Sequence, residues 1–178
     1  MLFDLAVLIP VHTAISLIAV LAGMVVVAAL LHGWSAPGWL GVFLVMAFLT
    51  SATGFLFPLN VVLPSHIVGV LALVTLAVVM VARQRAATSW AWERAKIIGL
   101  IASQYWLVFV GVAQSFTKIP AIQDLAPTQA EAPFAVVQLI VLIAFIAVGV
   151  AAVRRARRRR DGLRGGAAHP PDAAGFAA

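Results

Sequence analysis

Five stretches of this chain stay apolar for about the thickness of a lipid bilayer. They run roughly Leu5–Leu31, Trp39–Phe57, Pro64–Val81, Ile97–Phe116 and Phe134–Val153. A helix crossing a hydrocarbon core of about 30 Å needs about 20 apolar residues. Backbone polar groups find no water there, so a spanning segment must satisfy its own hydrogen bonds. A barrel strand would alternate apolar and polar residues, and these runs do not alternate. The expectation is an all-α, polytopic transmembrane bundle of five helices. Composition agrees, with 63% hydrophobic and 10% charged residues. Soluble domains hold about 45–50% and about 25%. Residues 1–156 then form one transmembrane domain, and 157–178 a basic and then disordered tail.

The first run could be a secretory leader. Its opening "MLFD" is acidic where a leader is basic, and its apolar run exceeds a leader's core, so it reads as a retained helix. Direction follows from Lys and Arg. Of the 12 in the chain, all but Lys118 fall on one side of a five-span arrangement. The positive-inside rule puts the N-terminus outside and the C-terminus inside, in a bacterial inner membrane. Trp34, Trp39, Trp90 and Trp92 lie on the inner side as an interfacial belt. The run "RRARRRR", Arg154 to Arg160, directly follows a span. It reads as an anchor for anionic lipid headgroups, and the net charge of +6 does not argue for nucleic acid.

Two outer connections differ in character. "PLNVVLP", Pro58 to Pro64, is apolar enough to pack on the bundle or lie in the interface. "TKIPAIQDLAPTQAEAP", Thr117 to Pro133, is long and broken by three prolines, with room for one helical turn at "AIQDL". Loops of that length are often functional, so it is a candidate lid. The tail "DGLRGGAAHPPDAAGFAA" has no periodicity and reads as disordered, which makes His169 irrelevant.

Polar residues inside the spans gather toward the outer ends. His12, Thr13 and Ser16 lie in span one; Thr50, Ser51 and Thr53 in span two; His66 in span three; Gln114 in span four; Gln138 in span five. His12, Ser16, Ala19 and Gly23 follow helical spacing and share a face. Hydroxyls in such helices commonly bond their own backbone. A buried imidazole or amide is harder to dismiss, and an ionisable group within a span marks a functional site by default. His12 lies about 10 Å along its helix. The reading is an outer-leaflet polar pocket lined by His12, Ser16, Thr50, Thr53, His66, Gln114 and Gln138. Tyr105 and Trp106 could form its aromatic floor.

Three functions fit such a pocket. The first is a small-ligand-binding, accessory or sensor protein, which demands least of the residues. The second is a b-type cytochrome binding a single haem b through His12 and His66. Their depths differ by about 8 Å in upright helices, which counts against the pair. The third is a small transporter acting as an oligomer, disfavoured because no acidic or basic residue lies within a span. Nothing supports an enzyme: G-x-S-x-G, H-E-x-x-H and a glycine-rich phosphate loop are all missing. With no cysteine, thiolate metal sites and disulfides are excluded. Two histidines alone make no full metal ligand set. A homo-oligomer or a partner membrane subunit remains open.

The segment "QSFTKIPAIQDLAPTQAEAPFAVVQLIVL", Gln114 to Leu142, resembles a pattern in uncharacterised small bacterial inner-membrane proteins. "TSATGFLFP", Thr50 to Pro58, followed by "LPSHIVGVLAL", Leu63 to Leu73, is similar to the same group. The resemblance covers about two thirds of the chain. It implies class and location, and carries no activity.

Overall fold

The computed structural model describes residues 4–57 and 64–167. Its elements are α1 (Leu5–His32), α2 (Pro37–Gly54), α3 (Pro64–Arg85), α4 (Trp90–Lys118), the single turn α5 (Pro120–Gln123) and α6 (Ala132–Ala167). Every element is helical. All but α5 are long and apolar enough to cross a membrane, which makes this a multi-pass membrane protein. The Pro58–Pro64 connection, apart from Pro64 itself, lies outside the described residues, as do the expected disordered tail beyond 167 and His169.

Helix boundaries follow local chemistry. Asp4 caps α1: its Oδ1 accepts from the Ala6 N–H at 2.9 Å. Gly33 ends it in the left-handed conformation at φ 77°. Pro37 opens α2 at the first helical position, where its missing N–H costs nothing. Ser89 caps α4 through the Trp92 N–H at 3.4 Å. Two helices exceed their apolar runs the most. α4 starts at Trp90, before the Ile97 expected from hydropathy, because "WAWERAK" contains good helix formers behind a serine cap. α6 continues past Val153 through the arginine run, since Arg and Ala favour helix and nothing there breaks it. The first part of the expected tail is therefore helical.

The first four spanning helices form a ring: α1 packs on α2, α2 on α3, α3 on α4, and α4 on α1. α6 lies along α4 and also touches α1. The core joins Ala22 and Val26 of α1, Phe43, Leu44 and Ala47 of α2, Leu76 and Val79 of α3, and Leu100 of α4. Small residues let backbones approach, which is how helices associate where lipid is as apolar as leucine. A Cβ at Gly23 would overlap the Gln104 amide and stand 2.7 Å from the Phe43 ring. A Cβ at Gly99 would stand 2.6 Å from Val79 Cγ2. Gln104, almost wholly buried, donates from Nε2 to the Val20 carbonyl at 3.0 Å and ties α4 to α1.

Candidate functional site

The bundle has two chemically distinct ends. One carries all the Lys and Arg except Lys118 and is called the basic end below. The other holds the start of α1, the exit of α2, the start of α3, the exit of α4 and the start of α6. The expected polar residues lie toward this second end.

His12 is the best-defined of them. Its Nδ1 is 2.7 Å from the Thr53 hydroxyl on α2. Thr53 Oγ1 also bonds the Leu49 carbonyl at 2.7 Å and lies 3.3 Å from the Thr50 carbonyl. A hydroxyl has one proton, and a carbonyl can only accept. The Thr53 proton is therefore committed to the backbone, and Thr53 accepts from His12. The network thus assigns the neutral tautomer with Nδ1 protonated, which leaves the lone pair on Nε2. The imidazole is packed edge-on against the Phe57 ring, with centroids 5.2 Å apart. Ser16, one turn along α1, donates to the His12 carbonyl at 2.7 Å. Ser16 is thus spent on its own helix, as serines in apolar helices commonly are.

Thr50 and His66 sit nearby in a different condition. Among the described residues, Thr50 Oγ1 and His66 Nδ1 are both buried without a hydrogen-bond partner. His66 lies against Phe55 at 6.1 Å between centroids. The exit of α2 thus sets one phenylalanine on each histidine, Phe57 on His12 and Phe55 on His66. Orphaned buried polar atoms are uncommon in folded proteins, because each gives up its bonds to water.

The two glutamines do not join this cluster. Gln114 is exposed. It lies eleven residues from the buried Ser103, only about 20° around α4, so the two share a face and differ in what that face meets at their level of the bundle. Gln138 is buried but belongs to the α4–α6 contact, where its Nε2 donates to the Phe109 carbonyl at 3.0 Å. No hydrogen bond joins His12 to His66. Among the described residues no three His, Cys, Asp or Glu side chains converge as a metal site.

The expected floor is placed elsewhere too. Tyr105 and Trp106 are in ring contact at 5.1 Å, and Tyr105 packs on Phe145 of α6 at 5.8 Å. Trp106 donates from Nε1 to the Thr75 hydroxyl at 3.2 Å, joining α4 to α3. The Thr117–Pro133 connection carries the α5 turn and folds back on α4. Gln129, at φ 60°, donates to the Ala113 carbonyl at 2.9 Å, and Phe116 meets Phe134 edge-on at 5.5 Å. Thr128 donates its backbone N–H and hydroxyl to Glu131 Oε1 at 3.2 and 2.8 Å. The Thr128 hydroxyl bond holds the Glu131 carboxyl below its usual range.

Sequence reasoning read the basic end as a tryptophan belt and a headgroup anchor and missed its contacts within the protein. Arg155 donates to the His32 carbonyl and Arg159 to the Gly33 carbonyl at 3.1 Å. Arg160 lies over the Trp90 ring at 5.8 Å. Part of the run read as a headgroup anchor is thus engaged within the protein. The i, i+4 spacing of Arg155 and Arg159 was the available signal. Two clefts open toward this end and neither is lined by the polar cluster. One of about 470 Å³ runs between α4 and α6, and one of about 110 Å³ lies among α1, α4 and α6. Comparison with protein-family models, with curated proteins and with solved structures finds no match for this chain.

Proposed function

We propose that this protein lies in a bacterial inner membrane with its N-terminus outside and its C-terminus inside, and binds a small ligand in an accessory or sensor role. The site is the polar cluster of α1, α2 and α3. His12 is its central acceptor, Thr53 holds the ring, and Thr50 and His66 offer further polar atoms. One observation carries this reading: Thr53, already donating to Leu49, accepts from His12 Nδ1 and leaves the Nε2 lone pair uncommitted among the described residues. A ligand with an N–H or O–H donor suits it. The arrangement does not suit hydroxyl nucleophile chemistry, in which the imidazole must take the hydroxyl proton. Here the Thr53 proton points to the backbone instead. Gln114 and Gln138, expected in the site, have no part in this reading.

The test is mass spectrometry of small molecules extracted from protein purified in mild detergent, together with a reduced-minus-oxidised optical spectrum. A molecule present in wild type, reduced in Thr53→Ala and lost in His12→Leu supports the proposal. Equal content in all three removes it. A haem band that disappears in His12→Ala would replace it with electron transfer.

A further inference from the structure

The larger cleft has the shape and charge of a site for one phospholipid. It lies between α4 and α6 and is apolar along its length, with Ile101, Tyr105, Phe145 and Gly149 among its walls. At its basic end it is flanked by Arg94 and Arg154. Nearby carboxylates are engaged elsewhere: Glu93 pairs with Lys96 at 2.8 Å and Asp161 with Arg157 at 3.9 Å. Neither Arg94 nor Arg154 has a carboxylate within ion-pair distance among the described residues.

Length decides what this charge could serve. From Arg94 to Tyr105 the cleft follows α4 for about 16 Å, and from Arg154 to Leu142 it follows α6 for about 18 Å. Half of a hydrocarbon core is about 15 Å. The groove therefore spans one leaflet, from the headgroup layer to the midplane, where Tyr105 and Phe145 meet. Gly149 keeps the α6 wall low: a Cβ there would just touch Ile101 at 4.0 Å. Guanidinium groups match phosphate oxygens in pairs, which a lysine does not do as well.

We infer that this cleft binds one anionic phospholipid, with an acyl chain along α4 and α6 and the headgroup phosphate between Arg94 and Arg154. The site is separate from the His12 cluster and does not depend on it. It needs only that the basic end lie in a headgroup layer, whichever leaflet that is.

The experiment is native mass spectrometry of the full chain equilibrated in mixed micelles holding equal phosphatidylglycerol and phosphatidylcholine. Wild type should retain phosphatidylglycerol about thirtyfold over phosphatidylcholine, as expected for two arginines at a membrane surface. Arg94→Gln with Arg154→Gln should bring the ratio near one. Arg158→Gln with Arg164→Gln removes the same charge outside the cleft and should leave the ratio high. Gly149→Leu should lower retention of both lipids while the protein unfolds at an unchanged temperature. Equal retention of the two lipids by wild type overturns the inference, as does an equal loss in both arginine pairs. So does a cross-linked dimer with the cleft at its interface that phosphatidylglycerol fails to displace.

Discussion

At the basic end, polar groups close gaps that the helices leave. The last carbonyls of α1 have no partner within their own helix, and Arg155 and Arg159 reach across from α6 to meet them. At the opposite end, polar groups open gaps. Among the described residues, Thr53 fixes the His12 ring and leaves Nε2 uncommitted, while Thr50 Oγ1 and His66 Nδ1 are buried without partners. The residue types at both ends look alike in a hydropathy plot. What separates them is whether the polar groups meet backbone carbonyls of another helix or are left unused. Ser103 Oγ, Gln104 Oε1 and Gln138 Oε1 are also unpartnered among the described residues, so unused capacity by itself does not mark a site.

This contrast can be broken at either end. The largest effect is expected at Gly33, where φ is 77° and a Cβ would stand 2.8 Å from Arg155 Nη2. Gly33→Ala should cost about 2 kcal/mol, from the left-handed conformation and the displaced cap. Unfolding in mild detergent measures it, and a neutral outcome would mean that the α1 terminus does not need Arg155. Arg155→Leu with Arg159→Leu should cost about 0.6–2 kcal/mol, since charges at an exposed helix terminus contribute about 0.3–1 kcal/mol each.

His12→Leu sharpens the contrast from the other side. One interhelical hydrogen bond in a membrane protein is worth about 0.6 kcal/mol on average. The Thr53 hydroxyl keeps its bond to Leu49, so stability should fall by no more than about 1 kcal/mol while bound ligand is lost. A loss above about 3 kcal/mol with unchanged ligand content would make His12 a structural residue like those at the basic end. The smallest effect is at Glu131. Its carboxyl is held below the usual range in the folded protein, so it contributes stability above about pH 5, fading as pH falls through the lowered value. Thr128→Ala should return the titration of this carboxyl to the ordinary glutamate range, read by NMR.

Much of the fold was legible because the bilayer imposes a one-dimensional rule. Apolar length predicts a spanning helix whatever its neighbours do, and the five runs are five helices. The rule failed where water begins. Neither Trp90–Lys96 nor the arginine run is apolar, yet both are helical, because helix propensity outlasts hydropathy. The site was legible only in part. His12 and Ser16 share a face with Ala19 and Gly23 by arithmetic of 3.6, and the structure keeps that face inward. Gln114 and Gln138 defeated the same arithmetic, since it says which residues share a face and not which neighbour the face meets.

By itself, then, the sequence determined the class of the protein, the number of its spans and the clustering of cations at one end. Those depend on local apolar length and on charge order along the chain. Tertiary structure decided that Thr53 is the partner of His12, that Gln104 serves α1, that Arg155 and Arg159 reach the end of α1 and that Arg94 and Arg154 share a cleft. A hydrogen bond or a cleft wall needs two helices at a fixed distance and rotation, and side chains remote in sequence set both.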